Sequence, residues 1–332
     1  MTLKHWTEPN GIFIVNIPAN WQYRNAIIDN VEEKSPFSFE AYENSPGCYQ
    51  LSCYPLSEKG INHTFPIQKS NTKIEWLESR MDDEEFNMHL WHAQVEDQLC
   101  MAKCIYSRED RKRSKVKKLL KSVRSSLESL RVIPRPDRTH AVSLNKYDNF
   151  IFSLASSYDL REKAFASKSY IEIIAIISNQ IDAFLRISIV LKKQLNIRTK
   201  EIEVKYLFQE ESERGITERK IYKEAHSLGI IDEKLFDKLN ALYDIRNRVI
   251  HRYIISYLKT ADIAEATVEY ILISEEIRMI LKSIEEEQID GQIGIYGKGY
   301  IKDYEFTMEE QRIAFAMAND KHLMNEFYRK IE

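Results

Sequence analysis

The stretch "ALYDIRNRVIHRYIISY", residues 241–257, sets an arginine, an amide and a histidine close together as Arg246, Asn247 and His251. Imidazole changes charge near neutral pH, so it can give or take a proton where most side chains cannot. Guanidinium presents a rigid fork of donors that matches a phosphate or carboxylate and meets negative charge as it builds in a transition state. An amide one turn from the histidine can orient it or bind the same anion. Acid–base chemistry beside a bound anion is the work these three side chains fit.

A helix must position them. At about 100° per residue, Leu235, Leu239, Leu242, Ile245 and Val249 fall on one stripe, expected to face the core of the chain's own helical bundle. Asn247 and His251 fall nearly opposite, with Asp244 and Arg248 beside them. A second apolar row, Ile250, Tyr253, Ile254 and Tyr257, runs alongside with Arg246 at its edge. A soluble monomer rarely leaves such a row in water. A second copy of the chain is the expected cover, because a two-fold contact lets one patch meet itself. The rival reading of the same pattern is a helix end or subunit contact without chemistry.

Around that helix the chain falls into four parts. Residues 1–131 read as an α+β domain. "GIFIVNIPANW" is a β-rich run ended by Pro18, "GCYQLSCYPL" alternates Tyr49, Leu51 and Cys53 on one face, and two strands meet at a turn near Glu96-Asp97. A closing helix sets Val116, Leu119, Leu120, Val123, Leu127 and Leu130 at helical spacing. Residues 132–146, with Pro134 and Pro136 and no apolar period, read as a linker. Residues 147–287 are almost wholly helical. One long central helix is expected from Arg161 to Leu195, with Asp182 and Arg186 a four-apart pair on it, and Asp232 is the expected N-cap of the helix that carries His251. Residues 288–332 form an extension with a glycine-rich loop or hairpin and two short helices, "TMEEQRIAFAMAND" and "KHLMNEFYRK".

Composition narrows the function classes. With 332 residues, 43% hydrophobic and 30% charged, the chain has the balance of a soluble globular protein of two ordinary domains. A formal charge of −3 supplies no global field toward nucleic acid or membrane, so any hold on a polyanion is local. The basic run "REDRKRSKVKKLLKSVR" is one such place, readable as an RNA-holding patch or as a solvated helix face. No apolar run approaches the roughly 18 residues of a membrane span, and "MTLKHWTEPNG" lacks a signal-peptide layout, so a cytoplasmic protein without membrane partners is expected. Cys48 and Cys53, like Cys100 and Cys104, are spaced unlike zinc knuckles and lie in strand-like runs. Buried free thiols are expected rather than a metal site. His89 and His92 fit a strand and turn without metal, and the glycines near Gly294 lack the G-K-[ST] of a phosphate loop. No cofactor is expected.

Two resemblances follow from these residues. The strand running into Pro18-x-x-Trp21, with a sheet closed by a packed helix, resembles the PsbP-like fold over residues 1–131, which implies a binding or adaptor module. "RNRVIHRY" resembles the signature of the HEPN superfamily, R-N-x-x-x-H at Arg246, Asn247 and His251, and the helical setting extends that resemblance over residues 147–287. The resemblance implies an α+β domain followed by an all-α HEPN-like bundle. It implies a metal-independent endoribonuclease of a toxin–antitoxin or phage-defence system, with two copies of the motif meeting across a homodimer cleft. A base would take the 2′-OH proton, the oxygen would attack phosphorus, and a 2′,3′-cyclic phosphate would remain. Tyr253 completes R-x4-H-x-Y. In toxins of that type the tyrosine is adenylylated by a nucleotidyltransferase antitoxin, so such an antitoxin or another regulatory protein is the implied partner; an interface tyrosine is the alternative. The rival from another class is a non-catalytic dimerisation scaffold whose N-terminal domain captures a partner.

Overall fold

The computed structural model describes residues 2–23, 35–42, 45–56, 66–70, 72–110, 113–209, 213–297 and 307–319. Two compact units divide the chain. One holds Met1–Asn145 and Met308–Asp320, the other Lys146–Thr307. The class is α+β followed by all-α.

In the first unit, alternating apolar residues build two sheets. The smaller joins β1 (Leu3–Thr7), β2 (Phe13–Pro18) and β10 (Arg131–Val132) in the order β1-β2-β10. The larger runs β3 (Trp21–Tyr23), β4 (Phe37–Ala41), β5 (Gly47–Pro55), β9 (Gln98–Ser107), β8 (Phe86–Val95) and β6 (Ile67–Gln68), with β7 (Leu77–Asp82) also paired to β8. The strand pair expected near Glu96-Asp97 is the β8–β9 hairpin, and Glu96 takes the left-handed conformation at φ 50° that the tight reversal demands. Tyr49, Leu51 and Cys53 all point into the core. Helix α1 (Ser114–Ser129) buries Val116, Leu119, Val123 and Leu127 against that face, while Leu120 is only partly covered.

Residues 132–146, expected as a linker, are regular structure instead. β10 pairs with β2, Val132 and Ile133 are buried, a 3₁₀ turn covers Arg135–Asp137, and α2 (Arg138–Ala166) begins there. The prolines mark that turn, where their fixed φ is an asset, and the division between the two units falls at Asn145/Lys146, within the same segment.

The second unit packs α3 (Tyr170–Ile197), α4 (Glu218–Ser227), α5 (Glu233–Arg252) and α6 (Thr260–Gly291) with the later turns of α2. The single helix expected from Arg161 to Leu195 is two. Lys168 turns left-handed at φ 55°, Ser169 N–H donates to the Ala164 carbonyl at 2.9 Å, and the Ser167 hydroxyl donates to the Lys163 carbonyl at 3.0 Å, which together close α2 without a glycine. Helix α3 is the core of the bundle, burying Ile173, Ile177, Ile181, Leu185 and Leu191 among others. Its most apolar window has mean hydropathy 1.6, long and apolar enough to cross a membrane, and 67% of that window is buried inside the unit. Interspersed Ser178, Asn179 and Gln180 hide this stretch from a search for unbroken apolar runs.

A buried amide network pins α3 to α6. Gln288 Nε2 donates to the Leu191 carbonyl and to Gln194 Oε1, both at 2.9 Å, and Gln288 Oε1 accepts from the Tyr296 N–H at 3.2 Å. Every arm of the amide is used, which a fully buried polar side chain requires. Gly294, at φ 74°, sits where a Cβ would lie 2.4 Å from the Gln288 amide. The extension expected over 288–332 is therefore not one body. Residues through Gly297 finish the helical unit, whereas α7 (Met308–Asn319) packs on β1 of the first unit and buries Ala316, Met317 and Ala318. The second short helix expected there, residues 321–330, lies outside the described residues.

The N-cap of α5 is Asp232, whose Oδ1 accepts from the Leu235 N–H at 2.8 Å. Replacing it with alanine removes a partner from one of the four orphan donors of the helix start. Asp232→Ala is expected to lower stability by about 1 kcal/mol, and Asp232→Asn by much less, read as a shift in urea midpoint by circular dichroism.

Candidate functional site

Helix α5 carries the candidate residues because its apolar period is strong. Leu235, Leu239, Leu242 and Val249 are buried and Ile245 packs partly against the same core. The carbonyl of Leu242 also accepts the Tyr270 hydroxyl at 2.6 Å, tying α5 to α6. This docking sets the azimuth of every other residue on the helix.

His251 lies on the last turn and is exposed, as are Arg248 and Arg252. A cationic ring there would face the negative end of the helix dipole. Asn247, one turn earlier, is half-buried. Among the described residues neither Asn247 nor His251 makes a side-chain hydrogen bond. Tyr253 closes the helix and is 41% exposed, and the apolar row continues into solvent with Ile254 at 93% and Tyr257 fully exposed. Ile255, which the helical wheel did not place in that row, joins it at 82% because the helix has already ended.

Arg246 departs from the outward edge the wheel assigned to it. Its guanidinium turns inward, where Nη2 donates to Glu218 Oε2 on the first turn of α4 and its Cζ lies 4.9 Å from the Tyr243 ring centre. Arg219 also lies over that ring, 4.6 Å away, and is itself paired with Asp244 at 2.5 Å. Arg246 Nε is buried without a partner among the described residues. Glu218 also accepts the Tyr222 hydroxyl. Burial raises the Glu218 carboxyl above its ordinary range, opposed by the Tyr222 hydroxyl and the charge of Arg246.

Deeper on α3, Asp182 Oδ2 accepts from Arg186 Nε at 2.6 Å, the four-apart pair expected from the sequence. Arg186 spends its other nitrogens on the carbonyls of Tyr206, at 3.1 Å, and Ile216, at 2.8 Å, so it staples the α3–α4 loop. Burial raises Asp182 as well, against Arg186 and Arg246. A cavity of about 490 Å³ opens beside this staple between Phe150, Arg186, Phe208 and Arg214. Glu218 was not singled out in the sequence, although a signal existed. Glu218, Ile221, Tyr222 and Ala225 share one helical stripe, so an acid stands in a row that is otherwise buried.

The remaining sequence candidates lie in the first unit. His89 is buried between Glu78, 2.8 Å from Nδ1, and the Tyr106 hydroxyl, 3.0 Å from Nε2. In the basic run, Arg113 pairs with Asp110 and Arg124 with Glu78, while Lys115, Lys117, Lys118 and Lys121 of α1 stay exposed; residues 111 and 112 lie outside the described residues. Cys53, Cys100 and Cys104 are buried free thiols and Cys48 is half-exposed. No group of three or more His, Cys, Asp or Glu side chains is placed to hold a metal ion among the described residues.

The Glu218–Arg246 pair has a defined pH signature. A carboxyl raised on folding favours the native state when protonated, so its contribution is complete below the ordinary carboxylate range and falls away as pH rises through the raised value. Relative to Glu218→Gln, the wild type should lose stability as pH rises through that window. Glu218→Ala should cost about 2 kcal/mol at neutral pH, because the guanidinium is left largely buried without its partner. Urea titrations at several pH values check both.

No family model matches the chain, and no curated protein sequence matches it. Among solved structures, one similar chain is a crystal structure from Bacteroides thetaiotaomicron VPI-5482, 12% identical, covering 54% of this chain and 79% of that one at a TM-score of 0.30. Another is the solution structure of cyanobacterial PsbP (CyanoP) from Synechocystis sp. PCC 6803, 11% identical, covering 40% of this chain and 93% of that one at a TM-score of 0.22.

Proposed function

We propose that the protein is a cytoplasmic, metal-independent endoribonuclease of the HEPN type, acting as a homodimer in a toxin–antitoxin or phage-defence system. One observation carries the reading: exposed His251 stands among an exposed apolar row, Ile250, Tyr253, Ile254, Ile255 and Tyr257, at the end of a helix docked by its buried stripe. Water is a poor cover for that row, and a copy of the same surface is a good one. Geometry within one chain adds to this. Five residues along a helix separate Arg246 and His251 by about 140° of azimuth, so a single α5 does not present both to one ligand. Two copies meeting at this end would bring an imidazole of one toward the other.

In such a cleft His251 takes the proton of a ribose 2′-OH, and the freed oxygen attacks the adjacent phosphorus. The bond to the 5′ oxygen breaks, that oxygen receives a proton from the partner's imidazole or water, and a 2′,3′-cyclic phosphate remains. Asn247 binds the phosphate or orients the imidazole one turn away. Arg246 stabilises the charge that builds on the phosphate. Its present anion, Glu218, is a competitor that the phosphate must share or replace. Tyr253, exposed two residues beyond His251, is open to adenylylation by a nucleotidyltransferase-type antitoxin, and the added bulk and charge would obstruct the cleft.

A second reading rests on that same inward turn of Arg246. If the ion pair is purely structural, the bundle is a dimerising scaffold, and the first unit, with its PsbP-like likeness, captures a partner.

Incubation of the purified chain with RNA in EDTA separates the two. The ribonuclease reading expects fragments ending in 2′,3′-cyclic phosphate, uncut DNA, and a rate at least ~10²-fold lower for His251→Ala. Cleavage that persists in His251→Ala or requires a divalent metal contradicts it. Sedimentation should give a dimer for the wild type and a monomer for the double variant Ile254→Asp/Tyr257→Asp; a wild-type monomer removes both readings.

A further inference from the structure

We infer that Cys53 and Cys100 are an oxidation site, converted by a peroxide into a disulfide that joins β5 to β9. The two residues face each other directly in the antiparallel register, Cys53 opposite Cys100, and their sulfurs lie 3.1 Å apart. Directly opposed residues on antiparallel strands have Cα atoms about 4.5–5.5 Å apart, inside the roughly 4.4–6.8 Å that a disulfide spans. The sulfurs need to approach by about 1 Å to reach bonding distance, a movement within the reach of small side-chain rotations. No other thiol pair has this relation: Cys104 lies opposite Tyr49 and Cys48 opposite Ile105.

The site is also chemically enclosed. Both side chains point into the core of the first unit, Cys100 fully buried and Cys53 7% exposed. Oxidation begins at Cys53, the less completely covered residue of the two. Its thiolate attacks one peroxide oxygen, the O–O bond breaks, and a sulfenic acid forms while the other oxygen leaves as water, or as an alcohol from an organic peroxide. Cys100 sulfur then attacks the sulfenic sulfur, the S–O bond breaks, the S–S bond forms, and water leaves with the remaining thiol proton. The two thiols together lose two hydrogens and the peroxide is reduced. Burial keeps the Cys53 thiol protonated, so the first step is slow. The second is fast, because its nucleophile is already in place. Neither a persistent sulfenic acid nor further oxidation of Cys53 should accumulate.

The test treats the full chain with hydrogen peroxide, blocks free thiols by alkylation, and maps linkages by mass spectrometry of unreduced peptides. A single link between the Cys53 and Cys100 peptides is expected, with Cys48 and Cys104 recovered free of disulfide. The link should be reversible by dithiothreitol and raise the melting temperature by several degrees. Cys100→Ser should abolish the link and leave Cys53 stalled as sulfenic acid, detectable with a dimedone-type probe; Cys104→Ser should leave the link intact. Three outcomes overturn the inference: Cys53 and Cys100 alkylated as free thiols even when peroxide is applied in mild urea, a link through Cys48 or Cys104, or a Cys53–Cys100 link that lowers the melting temperature. The wild-type map stands alone should either serine variant fail to fold.

Discussion

A guanidinium cannot sit alone inside a helical bundle, and the second unit is arranged around that constraint. Arg246 turns inward from α5, and Glu218 on α4 meets it. Charge removed from water must be matched: the guanidinium meets the Glu218 carboxylate and the face of Tyr243, and the carboxylate in turn accepts the Tyr222 hydroxyl. Burial still bears on the acids, since Glu218 and Asp182 are both pushed above the ordinary carboxylate range. The pair fixes the start of α4 against the middle of α5, Arg186 fixes the loop that leads there, and Tyr270 fixes α6. What these contacts leave over is the last turn of α5. The proposed dimer contact and the proposed base, His251, lie at that remaining end, and Arg246 links it to the buried pair.

The first unit answers the same problem with apolar material. Trp6 of β1 lies 5.0 Å, ring centre to ring centre, from Phe39 of β4 in an edge-on arrangement, and Phe13, Tyr23 and Phe37 surround it. These rings join the small sheet to the large one. Helix α1 then covers the sheet face that carries Tyr49, Leu51, Cys53 and Cys100. The thiol pair is a consequence of this packing: two small side chains opposite each other beneath a lid of larger ones.

The fold class, the core stripe of α5, the Asp232 cap and the β8–β9 hairpin were all legible in the residues, because each follows from local period or turn chemistry. The direction of Arg246 was not. A helical wheel assigns azimuth from apolar neighbours, whereas this side chain obeys an acid 28 residues upstream on another helix. The stop at Lys168 was hidden for a related reason: it is made by backbone bonds and a serine hydroxyl where a glycine would have announced it. Likewise α7 was recognisable as a helix, but its packing on β1 depends on a contact across most of the chain. Of the candidate site, exposure of His251 and the apolar row were read correctly from spacing, while the acid partner was visible only as a polar residue in a buried row.

The central claim is that two chains meet at the end of α5. It is tested most directly by the distance between spin labels at residue 255, introduced as Ile255→Cys with Cys48→Ser in the 332-residue chain. Pulsed dipolar spectroscopy should give one short, narrow distance between protomers, broadened or lost when Ile254 and Tyr257 are changed to aspartate. Absence of any coupling between chains at concentrations where the protein sediments as a dimer would contradict the account.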